Sequence, residues 1–311
     1  MKNFKFISIS LIFFAVFSLT LVHLKVYKES SVILDIPEGS SISLISNILF
    51  EEGLILNPVL FKTYARLSLS DKKLQAGEYF IDSSQSVYTL NKKLVDGDFY
   101  YRRLTLLPGS TLKTILNLAH SSSLVNDLDS IDITLEEGIF YPDTYYYLKG
   151  ETFSSILFQS HMRWKEISNK LWESRDDNLP YANIMEATTM ASIIEKEGVE
   201  KETIAGVFVN RLKLNMKLQS DPTVIYALGD NFDGDIKRKD LRINSPYNTY
   251  RYRGLPPGPI SIVSEDSLRA ALRPKKTDYL YFVSMGNGFH KFSKNLVDHN
   301  EAVLKYQINE R

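Results

Sequence analysis

The residues best suited to chemistry lie in a short helical segment that carries two carboxylates, Glu195 and Glu197. Side chains two positions apart on a helix point about 200° apart, so these two groups cannot face the same cleft. Glu195 shares its helix face with the small side chains Thr188 and Ser192, which predicts room for a ligand beside it. The two isoleucines before Glu195 predict apolar surroundings, which raise the pKa of a carboxyl group as a general acid requires. A solvated glutamate at a helix end is the alternative.

Two polar loops follow this segment. The first ends at Pro222 and carries Gln219 and Asp221, whose amide and carboxylate groups suit sugar hydroxyls and acetamido groups. The alternative is that Asp221 caps a helix beginning at Pro222. The second carries Asn248 and Tyr250 and leads into a stretch rich in proline and glycine. It predicts a wall of a glycan groove, with ordinary turn chemistry as the alternative.

Composition excludes several classes of protein. The 311 residues carry no net formal charge, so we expect no nucleic-acid partner. The absence of cysteine rules out disulfides and thiolate catalysis, and the five histidines lack the spacing of a metal site. The sequence also lacks the glycine-rich loops that bind phosphate groups. We therefore expect neither a metal nor a nucleotide cofactor.

The N-terminal segment predicts the location of the protein. Phe6 to Leu24 has no charged residue and, as a helix, would extend roughly 28 Å, enough to cross a bilayer. Two lysines stand on each side of it, so charge gives only a weak orientation signal. No small-residue cleavage site follows, which favours an uncleaved anchor over a signal peptide. We expect residues 1–5 in the cytoplasm, residues 6–24 across the plasma (inner) membrane and the rest of the chain outside it.

Two domains are predicted beyond the anchor, over residues 31–98 and 101–311. Helices and strands are mixed without strict alternation, which indicates an α+β protein. In the first domain the pattern predicts strands at Ser31–Ile36 and Glu78–Ile81 and helices at Ile42–Glu52, Pro58–Leu67 and Val87–Val95. In the second it predicts helices at Thr152–Glu173, Ile184–Lys196, Lys201–Leu214 and Asn295–Tyr306, with a strand at Tyr279–Val283.

Several short motifs occur in a specific order between residues 134 and 303. They include Tyr141-Pro-Asp-Thr-Tyr145, Ala191-Ser-Ile-Ile-Glu-Lys-Glu197, Leu218-Gln-Ser-Asp-Pro-Thr-Val-Ile-Tyr226, Tyr247-Asn-Thr-Tyr250, Gly254-Leu-Pro-Pro-Gly258, Tyr279-Leu-Tyr-Phe-Val283 and His299-Asn300. Each motif alone is weak. Together, in this order and spacing, they closely resemble the endolytic murein transglycosylase family, also called MltG or YceG-like.

The resemblance implies a function and a site. A family member would cleave the β-1,4 bond between N-acetylmuramic acid and N-acetylglucosamine in nascent peptidoglycan strands, leave a 1,6-anhydro end and so terminate elongation. The family's catalytic glutamate falls on Glu195, as general acid and then base. Gln219, Asp221, Asn248 and Tyr250 are the implied substrate-binding residues.

The resemblance also implies an architecture and partners. A transmembrane helix would precede a small LysM-like module at residues 31–98, and a catalytic domain would occupy residues 101–311. The partners would be glycan strands, the membrane and peptidoglycan synthases.

Two other functions fit the same residues. A glycan-binding scaffold would need no catalytic Glu195. A true hydrolase would use water and a second carboxylate such as Asp221, and it would leave free reducing ends.

Overall fold

The computed structural model describes residues 30–83, 85–130 and 135–308. The predicted cytoplasmic residues 1–5 and the predicted transmembrane helix at Phe6–Leu24 lie outside these ranges. Within them, no helix combines the length and the apolar character that crossing a bilayer requires.

The described residues form two compact units. The N-terminal unit extends to Arg103 and also takes in Tyr146–Glu151, and the C-terminal unit comprises Leu104–Tyr145 and Thr152–Arg311. The sequence-based division at residues 98–101 assigned Tyr146–Glu151 to the catalytic domain, whereas in the structure this segment belongs with the N-terminal unit. The proposed functions of the two domains stay predictions.

The N-terminal unit is built from short elements with clear sequence boundaries. In chain order these are β1 (Val32–Ile36), α1 (Ile42–Glu51), α2 (Pro58–Leu67), β2 (Gly77–Ile81), α3 (Val87–Asp96) and β3 (Arg102–Thr105). The Ser41 hydroxyl accepts the amide of Leu44 at the start of α1, and Asn57 caps α2 immediately before Pro58. The predicted strands and helices of this region are therefore confirmed, with ends displaced by a residue or two.

The core of this unit lies between the helices and one antiparallel strand pair. Strands β1 and β2 pair with Val32 opposite Ile81 and Ile36 opposite Gly77. Because side chains alternate along a strand, Leu34 points into the core together with Ile36 and Ile81. The two strands thereby join their helices around a single small core.

The C-terminal unit is mostly helical. Its elements are α4 (Leu112–Ser121), β4 (Thr144–Tyr147), α5 (Phe153–Glu173), α6 (Ile184–Glu197), α7 (Lys201–Lys213), α8 (Asp221–Leu228), α9 (Glu265–Leu272), β5 (Tyr281–Ser284), β6 (His290–Ser293) and α10 (Leu296–Val303). Strands β3 and β4 form a two-stranded sheet. The prediction of an α+β fold is confirmed in this general form, as small antiparallel sheets among many helices.

Helix α6 forms the centre of the C-terminal unit. All side chains from Ala187 to Ile194 are buried, and the helix packs against α5, α7, α8 and α9. A helix that is buried on all sides belongs to the interior of a domain. Its hydrophobic cluster includes Phe208 from α7 and Leu268 from α9, so α6 has a fixed position in this unit.

The segment before β5 runs along α7 and is bonded to it. The Asn210 side-chain amide donates to the carbonyl oxygens of Thr277 (2.7 Å) and Tyr279 (3.1 Å). A Cβ atom at Gly206 would lie 2.3 Å from the carbonyl oxygen of Lys275, so the close approach of the two backbones requires glycine. These contacts fix the β5–β6 hairpin against the helix that follows α6.

Candidate active site

Helix α6 holds its two carboxylates on opposite sides of its last turn. The helix begins after Asn183, whose side chain accepts the amide of Glu186 (3.0 Å), and it ends at Glu197. Glu195 bonds to Ser264, whereas Glu197 bonds to Ser220. The predicted separation of the two carboxylates is confirmed.

The small side chains beside Glu195 leave no room for a ligand. Thr188 and Ser192 are completely buried. The Ser192 hydroxyl accepts the amide of Ile260 (3.0 Å), and Thr188 lies close to Gly138. The expectation of free space on this face is therefore wrong, because the face accommodates the protein's own chain.

The Glu195 carboxylate is held chiefly by Ser264 and Lys201. One oxygen accepts the backbone amide (2.9 Å) and the hydroxyl (2.5 Å) of Ser264, the N-cap residue of α9. The other accepts the Lys201 ammonium group (3.2 Å), which also donates to the Ser264 hydroxyl (3.0 Å). The side chain keeps 10% of its surface exposed, so its position is fixed while one edge remains open to solvent.

These contacts decide the pKa of Glu195. Burial acts to raise it, but the hydroxyls of Ser264 and Ser267, the Ser264 amide and the Lys201 ammonium group outweigh burial, so the pKa of Glu195 lies below its ordinary value. The expected rise is wrong because these donors face the carboxylate, while Ile193 and Ile194 are buried in the core. In the free protein at neutral pH, Glu195 is therefore a carboxylate.

Glu197 has the opposite electrostatic environment. Burial raises its pKa to about 7, against a lowering effect from the Ser220 hydroxyl that donates to it. The nearby Asp221 raises it further, and Arg211 lowers it. The carboxyl group with the raised pKa is thus the one on the side of helix α6 away from Glu195.

The first predicted binding loop, residues 217–221, is called here the Gln219 loop. Gln219 is exposed and its backbone has φ = 51°, in the left-handed region that side chains rarely adopt. Asp221 is exposed and accepts the phenol of Tyr250 (2.6 Å). It is the first residue of α8, and Ser220 holds the N-cap position. The alternative role of Asp221 as the helix cap is therefore wrong.

The second predicted loop contributes one buried and one partly exposed residue. Asn248 is completely buried, and its amide donates to the carbonyl oxygens of Leu241 (3.2 Å) and Ile243 (3.0 Å). Its side-chain oxygen accepts the amide of Tyr250 (3.0 Å). Asn248 thus holds the loop and does not present its amide to a ligand, while Tyr250 reaches Asp221.

A third carboxyl group with internal hydrogen bonds is Glu137, in the C-terminal unit. Glu137 accepts the amide of Leu112 (2.8 Å) and the phenol of Tyr226 (3.2 Å). Burial raises the pKa of Glu137 despite these hydrogen bonds. Tyr226 packs on Tyr247 with ring centres 4.9 Å apart. The partners of Glu137 come from distant parts of the unit, so this carboxyl group joins separate segments of the chain.

The described part of the chain holds no group of three or more histidine, aspartate or glutamate side chains able to bind a metal.

Sequence reasoning missed the two residues that hold Glu195. Ser264 stands before Glu265 and Asp266, a pattern typical of a helix start. No local sequence pattern indicated Lys201, because its proximity to Glu195 depends on the turn between α6 and α7.

A family model described as the YceG-like family matches residues 34–305. The chain belongs to the YceG-like family. The match includes both carboxylates of α6, the residues that hold Glu195 and the two polar loops.

Two relatives with assigned names and one relative of known structure support this result. The chain is 33% identical over 310 residues to the endolytic murein transglycosylase of Bacillus subtilis, covering 89% of this chain and 85% of that protein. It is 29% identical over 320 residues to the protein of the same name from Streptococcus pneumoniae, covering 87% of this chain but 57% of the relative. A crystal structure of a YceG-like protein from Listeria monocytogenes is 31% identical with a TM-score of 0.51, covering 88% of this chain and 100% of that one.

The raised pKa of Glu197 predicts a pH-dependent stability in this YceG-like protein. The folded state binds this proton more tightly than the unfolded chain, so Glu197 stabilises fully below the ordinary glutamate pKa and loses that contribution as pH rises through about 7. We expect Glu197→Gln to reduce the fall in unfolding free energy between pH 5 and 8 by up to about 3 kcal/mol. Denaturant unfolding at several pH values measures this.

Glu202→Gln is the matched control, because Glu202 is exposed at the start of α7. It should leave the wild-type pH dependence unchanged. If the unfolding free energies of wild type and Glu197→Gln changed equally with pH, the raised pKa of Glu197 would be contradicted.

Proposed function

We propose that this chain is an endolytic lytic transglycosylase. It cleaves the β-1,4 bond between N-acetylmuramic acid and N-acetylglucosamine in nascent peptidoglycan strands, leaves 1,6-anhydro ends and thereby stops strand elongation. The observation that carries the proposal is the partly buried Glu195 carboxylate, held by Lys201 and Ser264 within the family-matched residues. The names of the relatives from Bacillus subtilis and Streptococcus pneumoniae support it.

One carboxyl group is enough for this reaction. Protonated Glu195 donates its proton to the glycosidic oxygen as the bond breaks and positive charge develops at C1 of the muramic acid. The resulting carboxylate takes the proton of that sugar's C6 hydroxyl, whose oxygen attacks C1 and closes the anhydro ring. The proton count balances, and water takes no part. Because the nucleophile belongs to the substrate, its positioning supplies much of the rate enhancement.

In the free protein, the electrostatic environment of Glu195 suits its role as the base of the second step. Its lowered pKa makes it a base before substrate arrives. A glycan covering the exposed edge adds to its desolvation, and desolvation raises the pKa of a carboxyl group. Substrate binding would then supply the protonated acid that the first step needs.

Substrate contacts are proposed for Gln219, Asp221 and Tyr250. Gln219 and Asp221 are exposed, and Tyr250 donates to Asp221 from the neighbouring loop. Their amide, carboxylate and phenol groups can bond to hydroxyl and acetamido groups of a sugar. Asn248 acts indirectly, by holding the loop that carries Tyr250.

The products of glycan cleavage test the function. Purified wild type incubated with uncrosslinked glycan strands should yield anhydro-ended fragments by mass spectrometry. Glu195→Gln keeps the shape of the side chain but cannot transfer the proton, so the rate should fall by at least about 10²-fold. Glu202→Gln should behave as wild type. Free reducing ends would indicate a hydrolase instead, and intact strands that still bind both proteins would indicate a scaffold.

Lys201 should set the pH range of the reaction. Lys201→Met removes the ammonium group that helps to lower the pKa of Glu195, so that pKa should rise. The alkaline limb of kcat/KM, where the acid form of Glu195 is lost, should move to higher pH. Lys213→Met, at the exposed far end of the same helix, is the control. An unchanged or acid-shifted limb would contradict the role of Lys201.

We also propose that residues 6–24 anchor the protein in the plasma (inner) membrane, with residues 1–5 cytoplasmic and the enzyme outside, near peptidoglycan synthases. Cells producing the full chain should retain it in the membrane fraction after washing with high salt, and external protease should digest it in spheroplasts. Removal of residues 1–24 should release it. Recovery of the full chain in the soluble fraction would contradict the anchor.

A further inference from the structure

Glu197 takes no part in the proposed chemistry, yet it bonds across a long separation in sequence. One of its carboxylate oxygens accepts the hydroxyl of Ser220 in the Gln219 loop. Ser220 is only 1% exposed. A bond to a carboxyl group inside the protein is stronger than one in water, because little solvent competes for it. The last residue of helix α6 is therefore attached directly to a predicted substrate-binding loop.

The Gln219 loop is held from two further directions. The Arg211 guanidinium group of α7 donates to the carbonyl oxygens of Lys217 (3.2 Å) and Leu218 (2.9 Å). Thr249, in the loop before Tyr250, accepts the Ser220 amide on its hydroxyl oxygen (3.0 Å). The Arg211 contacts precede Gln219, whereas the Glu197 and Thr249 contacts follow it. Residue 219 is thus fixed on both sides.

This fixation has an energetic consequence at Gln219. A non-glycine residue at φ = 51° is strained by an amount of order 1–3 kcal/mol and keeps that conformation only when its surroundings impose it. The Gln219 amide also donates to the carbonyl oxygen of Thr249 (3.3 Å). If the contact with Ser220 were lost, the strained residue could relax and its exposed side chain would change direction.

The charged and titratable groups around Glu197 come from several elements. Burial raises the pKa of Glu197 most, Asp221 raises it further and Arg211 lowers it. Ser220 is the donor in the bond to Glu197. Because a carboxyl oxygen accepts a hydroxyl in either protonation state, this contact survives titration of Glu197.

We propose that Glu197 is a positioning residue for glycan cleavage, which holds the Gln219 loop in the conformation that presents Gln219 to the glycan, through its bond to Ser220. The inference rests on the proposed function, since it assigns Glu197 a role in the same reaction. Glu195 and Glu197 then divide the work, one reacting with the substrate and the other fixing a binding loop to the same helix. Both carboxylates extend from the last turn of α6, about 3 Å apart along the helix axis, so the loop is attached close to the reacting group.

A double-mutant cycle tests this role. Glu197→Ala and Ser220→Ala each remove one partner, and each should lower kcat/KM on uncrosslinked strands on the order of tenfold, the value of one buried hydrogen bond. The double variant should lose no more than either single variant, because both remove the same interaction. Glu197→Gln keeps an accepting oxygen and should remain within about twofold of wild type. Glu202→Gln is the control.

The remaining readouts separate positioning from stability and from the reaction itself. Every active variant should still yield anhydro ends, and Ser220→Ala should lose activity at temperatures far below its Tm. Wild-type activity in folded Ser220→Ala, or additive losses in the double variant, would overturn the positioning role while Glu195 kept its own. Absence of anhydro ends from wild type would overturn the proposed function together with this inference.

Discussion

Helix α6 can present functional groups only at its ends, because every side chain from Ala187 to Ile194 is buried, and its C-terminal end carries both carboxylates. The rest of the C-terminal unit follows from this constraint. Helices α7, α8 and α9 pack on the buried segment, and their first turns or adjoining loops supply the groups that surround the exposed end. Lys201 and Ser264 come from two of these helix starts. A rigid core helix thus gives two carboxylates fixed positions, as a preorganised site requires.

The two carboxylates differ although they are two residues apart. Glu195 receives hydroxyl, amide and ammonium donors, which favour its charged form. Glu197 receives one hydroxyl and lies near the negative Asp221, so burial dominates. Neighbouring acids with separated pKa values are typical of sites where each acid has its own task. The difference arises from what packs against each side of the helix.

Much of the fold was predictable from sequence, because local residues determine where its helices and strands begin and end. Ser41 and the pair Asn57–Pro58 mark helix starts, and alternation within β1 marks its buried face. The chemistry around Glu195 was harder to predict. Ser264 lies 69 residues away in sequence, and no local pattern indicates which helix start will meet a given carboxylate. Asn248 illustrates the same limit, since a polar residue beside prolines and glycines gives no sign of whether its amide faces inward.

The segment Tyr146–Glu151 has a consequence for how this protein can be divided or recombined. It belongs to the N-terminal unit although it follows much of the C-terminal unit in sequence. Its Lys149 pairs with Asp35 (2.5 Å), more than a hundred residues earlier. A gene fusion or deletion with its junction near residue 98 would therefore split the N-terminal unit and leave residues 99–103 and Tyr146–Glu151 attached to the other one. A junction after Arg103 would still leave Tyr146–Glu151 behind, so no single cut in the chain separates the two units.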